Sequence, residues 1–137
     1  MRYRFGTRSL ENLLGVHPEL AFLAWEILKE RDIYIASGVR TVEEQAALYE
    51  QGRTKPGVRV TNIDGERRRS DHQVDPLTGF GHALDFVPWP EKWSSVEAFD
   101  EIAEIGFEII RAKGLRIGWG GHWTRFVDRP HWYVLKD

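Results

Sequence analysis

The sequence predicts an α+β fold in which a small, largely antiparallel sheet carries helices on one side. Two observations lead to this prediction. Apolar residues recur at helical spacing in several segments, and short segments rich in β-branched and aromatic residues lie between them. The chain has 137 residues, which is the length of one domain, so we expect a single domain over residues 1–137.

The first elements are two helices and a strand. Residues 9–15 are predicted to form a short helix. Pro18 fits the first turn of a second helix, because the missing N–H of proline has no partner to lose there. Apolar residues then recur at 3.6-residue spacing to about Leu28. β-Branched and aromatic residues predict a strand over 33–36.

A capped helix and a long loop follow. Thr41 can cap the helix backbone while Glu44, three residues later, reaches back to it, and Gly52 is expected to end the helix. Residues 52–80 are rich in Gly and Pro and contain a basic run at 67–69. Long loops inside compact domains are usually functional or disordered, so this segment is a candidate to carry site residues.

The second half of the chain supplies the rest of the sheet. Residues 83–87 are predicted to form a strand. The segment 94–97 matches a second capping box, which would start the longest helix and carry it to about Lys113. Two further short strands, 115–118 and 132–135, are expected to complete the sheet.

The composition excludes several classes of protein. The chain has no cysteine, which excludes a disulfide scaffold, a thiol nucleophile and a Cys-ligated metal site. Its 19 basic and 21 acidic residues give a net charge of −2, which argues against nucleic acid as the main partner. We expect no membrane partner, because the apolar runs are short and the N-terminus lacks the apolar core of a signal peptide.

Histidines and carboxylates are the residues that could bind a transition metal in a chain without cysteine. His72 lies in the long loop, Asp85 in a predicted strand and His131 just before the last strand. Three such ligands with an open position for water are typical of catalytic zinc, although the spacing alone is a weak signal. Asp128 precedes His131 by three residues, and could equally be a turn-forming residue near Pro130.

Six tryptophans in 137 residues are unusually many. Four of them flank Gly or Pro turns: Trp89, Trp93, Trp119 and Trp123. Packing in the core and at its rim explains such residues, since aromatic side chains carry much apolar area. A groove with aromatic walls, suited to sugar or peptide ligands, is the alternative.

Several motifs together resemble one family of zinc peptidases. Ser70-Asp71-His72, followed by Gly81-His82-Ala83-Leu84-Asp85, resembles the S-x-H…G-x-A-x-D signature of the D-alanyl-D-alanine carboxypeptidases and L-alanyl-D-glutamate endopeptidases that cut peptidoglycan stem peptides. Further segments resemble other parts of that family, in the same order: 15–18, 37–41 with Gln45, 51–57, 60–62, 118–121 and 128–132. The resemblance extends from about residue 5 to residue 135, and it implies the fold that these peptidases share with hedgehog signalling domains.

The resemblance also implies roles for the matched residues. The implied site consists of the zinc ligands His72, Asp85 and His131, the catalytic residues Asp128 and Arg40, and the substrate-binding residues Arg40, Gln45 and Ser70. One zinc ion per chain would be the cofactor. Asp128 would act as general base and acid, and Arg40 would contact the substrate or the developing oxyanion. Ser70 would lie near the metal-bound or substrate groups and support them without binding the metal.

Two departures from the family pattern concern histidines. The spacing between His72 and Gly81 is longer than usual, which makes His82 a rival ligand. In a strand, His82 and Asp85 would face opposite sides because their separation is odd, and this disfavours their binding one ion. The second departure is His122, at a position where relatives often have Asp.

The resemblance favours an L-alanyl-D-glutamate endopeptidase of the phage endolysin type. Such a protein would remain in the cytoplasm until its release to the cell wall, act as a monomer and bind a peptidoglycan stem peptide. A D-alanyl-D-alanine carboxypeptidase is the alternative enzyme. A non-catalytic, hedgehog-like zinc-binding module is less favoured because Asp128 is present, and a metal nuclease because the net charge is mild. The basic run 67–69 is either a solvated loop or a contact to the anionic cell wall.

Overall fold

The computed structural model describes residues 2–136. They form four α-helices, four strands and one short 3-10 helix. In chain order these are α1 (Thr7–Leu13), α2 (Pro18–Leu28), β1 (Ile33–Ser37), α3 (Val42–Glu50), β2 (Ala83–Pro88), α4 (Val96–Lys113), β3 (Ile117–Trp119), the 3-10 helix (Gly120–His122) and β4 (His131–Val134).

The four strands form one sheet in the order β1-β2-β4-β3. Each neighbouring pair is antiparallel, which confirms the predicted sheet. Asp85 on β2 pairs with His131 on β4 and with Ser37 at the end of β1. The register of the central strands therefore brings two of the predicted metal ligands side by side, although 45 residues of chain lie between them.

Two helices cover one face of the sheet. α2 and α4 contact each other and both contact β2, so they lie on the same side, as the sequence predicts. The buried residues of α4 recur every three or four positions. At Gly106 an added Cβ would lie 2.9 Å from the ring of Trp132, so glycine lets α4 approach β4 closely. None of the helices in residues 2–136 has the length and apolar character needed to cross a membrane.

The helix boundaries differ from the predictions at two places. α1 begins and ends two residues earlier than expected. Its N-cap is Gly6, which has no side chain to form a capping hydrogen bond, so the sequence contains no capping motif at this position. The capping box predicted at 94–97 is wrong. Ser95 is the N-cap and accepts from the backbone N–H of Ala98, whose methyl side chain cannot return the bond. The box formed by Thr41 and Glu44 is confirmed.

The chain between α3 and β2 contains no helix or strand, yet side chains fix its path. The Asp64 carboxylate accepts hydrogen bonds from the backbone N–H groups of residues 66–68. Gln73 donates to the carbonyl of Gly65, and Gln45 on α3 donates to the carbonyl of Ile63. Hydrogen bonds within the loop and to α3 thus fix its conformation, and the loop places His72 beside the sheet.

Candidate active site

Three segments bring His72, Asp85 and His131 together. One possible ligand atom from each lies within 4.8 Å of the other two, which makes them a group that could hold a metal ion. His72 Nε2 is 3.3 Å and His131 Nδ1 is 3.0 Å from Asp85 Oδ1. All three residues are buried, with at most 9% of their surface exposed. The structure therefore places together the three residues that the resemblance singled out.

The ring of His72 is held in one orientation by its surroundings. Its Nδ1 lies 2.8 Å from the carbonyl oxygen of Gly38. Because a carbonyl only accepts, Nδ1 carries a proton, and Nε2 is the ring nitrogen that faces Asp85. The backbone is held as well, since His72 N donates to Ser70 Oγ and Arg40 N donates to the His72 carbonyl. Metal-binding histidines commonly donate their second ring N–H in this way.

The electrostatics of the cluster favour an ionised Asp85. Burial raises the pKa of its carboxyl, but the adjacent His72 and His131 outweigh burial and hold the pKa well below its usual range. Burial lowers the pKa of His131, and the hydrogen bond to Asp85 outweighs this and raises it. Two imidazole nitrogens converge on one carboxylate oxygen, and these nitrogen and oxygen donors fit a divalent metal such as zinc.

Arg40 lies inside the site and not on the surface. It occupies the junction between β1 and α3, directly before the N-cap Thr41, and only 20% of its side chain is exposed. Its Nη2 is 3.5 Å from Asp85 Oδ2, and its Nη1 donates to Gln45 Oε1 at 3.2 Å. Burial lowers the pKa of Arg40, and Asp85 and Asp128 offset part of this effect. The guanidinium stays charged, as arginine does in proteins generally.

Gln45 and Ser70 contact other site residues in this structure. Gln45 is completely buried, and its amide accepts from Arg40 while donating to Thr61 Oγ1 and the Ile63 carbonyl. Ser70 is also buried and accepts from the backbone of His72. These contacts orient Arg40 and His72. A direct contact of Gln45 or Ser70 with substrate stays a prediction.

Asp128 provides a second carboxylate beside the cluster. Its backbone donates to the carbonyl of Gly120 and accepts from His131 N, so its position is fixed relative to that ring. Burial and the negative charge of Asp85 raise the pKa of the Asp128 carboxyl, and outweigh the opposing cations. A raised pKa makes a carboxylate a stronger base, as a group that accepts and returns a proton must be.

The rival ligand His82 lies outside this group. Its Nε2 is 2.8 Å from Thr78 Oγ1, its Nδ1 is 4.0 Å from Asp75 Oδ2, and its ring lies against His17. Among residues 2–136 the metal-type group therefore contains His72 and not His82. The odd separation of His82 and Asp85 agrees with this arrangement.

His122 is held by aromatic packing, and Trp123 makes a contact with His131 that the sequence does not predict. His122 stacks on Phe107 with 5.0 Å between ring centroids, and it lies edge-on to Trp119. Trp123 packs on His131 with centroids 5.1 Å apart. The sequence marks Trp123 as one of four tryptophans beside turns, in the core or in a groove wall, and does not indicate its contact with His131. It also does not indicate that the Gly38 carbonyl contacts His72. Both roles depend on contacts between distant segments.

A comparison with protein families decides the membership of this chain. Residues 1–131 match the model of a family described as phage L-alanyl-D-glutamate peptidase. The chain belongs to this phage L-alanyl-D-glutamate peptidase family. The match includes every residue of the candidate site, from Arg40 to His131, so the geometry described above is that of a family member.

Relatives of this phage peptidase family member occur in bacteria and phages. The chain is 35% identical over 118 residues to the peptidoglycan L-alanyl-D-glutamate endopeptidase CwlK of Bacillus subtilis (strain 168), covering 77% of this chain and 62% of CwlK. It is 32% identical over 130 residues to the L-alanyl-D-glutamate peptidase of Listeria phage A118, covering 91% of this chain and 40% of that protein. The chain thus spans less than two thirds of the length of either relative.

A solved structure supports the fold. The crystal structure of the Serratia marcescens L-Ala D-Glu endopeptidase ChiX is similar with a TM-score of 0.71 and 28% sequence identity. The superposition covers 96% of this chain and 90% of ChiX. The four helices and the antiparallel sheet are therefore the architecture of an L-Ala-D-Glu endopeptidase, as the sequence resemblance implies.

Proposed function

We propose that this protein is a zinc-dependent endopeptidase that hydrolyses the L-alanyl-D-glutamate bond of peptidoglycan stem peptides. The observation that carries this proposal is the convergence of His72, Asp85 and His131 within 4.8 Å, with Arg40 and Asp128 acting electrostatically on the same carboxylate. The family description and the names of the relatives support the choice of substrate.

The three converging residues would hold one zinc ion per chain. His72 offers Nε2, His131 offers Nδ1 and Asp85 offers Oδ1, and Arg40 holds the second oxygen of Asp85. A set of three nitrogen and oxygen ligands leaves a coordination position open, as in catalytic zinc sites. When bound, zinc would polarise the scissile carbonyl and lower the pKa of a water molecule.

Asp128 would move the protons of the reaction. Its carboxyl lies near Asp85, Arg40 and both histidines, and its raised pKa allows it to accept a proton from the attacking water. The same carboxyl then returns the proton to the leaving amine. Its backbone bonds to Gly120 and His131 keep it at a fixed position through both steps.

Arg40 would bind the negative charge that develops on the substrate. Its guanidinium is held at one end by Asp85 and at the other by Gln45, so its remaining N–H groups have a fixed direction. A preorganised cation costs no reorganisation when charge develops in the transition state. Gln45 and Ser70 would support substrate binding through Arg40 and His72.

The choice of bond is tested by mass spectrometry of the fragments released from purified peptidoglycan. An L-alanyl-D-glutamate endopeptidase is expected to release peptides that begin with D-Glu and to leave L-Ala on the glycan. The alternative D-alanyl-D-alanine carboxypeptidase would release free D-Ala. A hedgehog-like binding module would release no fragment. Release of free D-Ala, or of no fragment, would contradict the proposed reaction.

Replacing Arg40 with Lys is expected to reduce kcat/KM at least about tenfold, equivalent to about 1.4 kcal/mol of transition-state stabilisation. Lysine keeps the charge but loses the planar pair of donors that now contacts Asp85 and Gln45 together. Folding and zinc content should stay intact, since Arg40 is not a proposed ligand. Steady-state kinetics on a defined stem peptide measures the effect, and unchanged kinetics would leave stabilisation of the oxyanion to zinc alone.

The cellular setting follows from the family. We propose that residues 1–137 act as one peptidase domain and as a monomer. The protein would remain in the cytoplasm of a phage-infected bacterium until it is released to the cell wall. The family description, which names phage peptidases, supports this setting.

A further inference from the structure

Residues 123–127, called the aromatic loop below, present apolar side chains to solvent next to the candidate site. The exposed fractions are 37% for Trp123, 76% for Phe126 and 49% for Val127. The base of the loop is closed, because Trp123 N and Asp128 N both donate to the carbonyl of Gly120. The loop is thus anchored on both sides, and its C-terminal end leads directly into Asp128.

Trp123 makes the aromatic loop continuous with the site. Its ring packs on His131 with centroids 5.1 Å apart and on Tyr133 with centroids 5.5 Å apart. Its indole N–H donates to the Tyr133 hydroxyl at 3.4 Å. A ligand group that covers the exposed part of Trp123 would therefore lie next to the proposed metal ligand His131.

Phe126 has two features that folding alone does not favour. Its φ is 53°, in the left-handed region that non-glycine residues rarely adopt. Its ring is largely exposed, and it makes no ring contact with any residue in the range 2–136. Unfavourable backbone conformations cluster at ligand-binding positions, and grouped exposed apolar residues mark binding surfaces.

The proposed substrate places a sugar close to this loop. In peptidoglycan the L-Ala residue of the stem peptide is joined to the lactyl group of muramic acid. The sugar is therefore one residue from the L-alanyl-D-glutamate bond, and one extended residue spans only about 3.6 Å. The C–H face of a pyranose ring is apolar and packs well on the negative face of an aromatic ring.

We propose that the aromatic loop binds the muramic acid end of the glycan to which the stem peptide is attached. The enzyme would then prefer stem peptides that are still linked to glycan over free stem peptides of the same sequence. Phe126 would be the main sugar contact, and Trp123 would connect it to the site. This inference rests on the proposed function, because it assumes that the bond next to L-Ala enters the site.

The test compares kcat/KM on a disaccharide-linked stem peptide with kcat/KM on the same peptide without the sugar. The wild-type enzyme is expected to prefer the linked substrate. Phe126→Ala should lower that preference about fivefold, the size expected for loss of one aromatic contact, while Phe126→Trp should retain it. The matched control is Trp93→Ala, which removes a 58% exposed aromatic side chain from the segment between β2 and α4 and should leave the preference unchanged.

Three results would overturn the inference. One is a wild-type enzyme without preference, and another is an unchanged preference in Phe126→Ala. The third is an equal loss of activity on both substrates. That result would mean that Phe126 helps to position Asp128 and does not bind the sugar. Circular dichroism of each variant verifies folding, and the exposure of Phe126 makes unfolding by its removal unexpected.

A binding measurement separates this inference from the proposed function. The GlcNAc-MurNAc disaccharide, which has no bond to hydrolyse, is titrated while the NMR shift of the Trp123 indole N–H is followed. A saturable shift that weakens in Phe126→Ala supports the sugar contact even if no peptide is cut. Peptide hydrolysis without any sugar-dependent shift or preference would support the proposed function and overturn the inference.

Discussion

Replacing His72 with Ala is expected to remove bound zinc and abolish peptidoglycan hydrolysis. His72 supplies one of the three converging donors found among residues 2–136, and the hydrogen bond from Nδ1 to Gly38 orients its Nε2 toward Asp85. Two remaining ligands would bind the ion too weakly to retain it. Metal analysis of the purified protein and loss of turbidity of bacterial cell walls measure the two effects.

His82→Ala is the matched control for that experiment. His82 lies ten residues later in the chain, and its Nε2 contacts Thr78 and not Asp85. This variant should keep one zinc ion per chain and most of the activity. If His82→Ala lost the metal while His72→Ala kept it, the assignment of the first ligand across the long loop would be wrong.

The fold was predictable where local physical chemistry determines it. The apolar spacing of α2 and α4, the capping box at Thr41 and the β-branched strands each act over a few residues, and the structure contains all of these elements. The start of α1 and the cap at Ser95 were misplaced. At both positions a helix could begin at any of several neighbouring residues with similar local stability. Contacts with the rest of the fold then determine which residue is the N-cap.

The site was predictable in composition but not in geometry. Without cysteine a metal site must use histidine and carboxylate, and the family resemblance indicated which ones. The pairing of Asp85 with His131 depends on the register of β2 and β4, which no local pattern encodes. The contact of the Gly38 carbonyl with His72 and the burial of Gln45 were also not predictable. Every residue has a backbone carbonyl, and the burial of a single polar residue depends on distant segments.

Asp128→Asn is expected to keep zinc and to lose activity by about 10²–10⁴-fold, the range typical of a general acid–base group. Asparagine has nearly the same shape, and the two hydrogen bonds that fix Asp128 use its backbone, so the loop and His131 should stay in place. The amide, however, cannot accept a proton from water or return one to the leaving amine. Metal content and kcat on a defined stem peptide are measured on the same preparation.

Asp71→Asn separates proton transfer from simple loss of negative charge. Like Asp128, Asp71 acts electrostatically on His131, but it is paired with Lys136 and has no proposed part in proton transfer. Asp71→Asn should therefore keep both zinc and most of the activity. Equal losses in the two variants would mean that negative charge near His131 is what matters. Loss of zinc in Asp128→Asn alone would make Asp128 a ligand, and full activity would remove it from the mechanism. Only a large loss specific to Asp128, with zinc retained, fits a carboxyl that moves the protons.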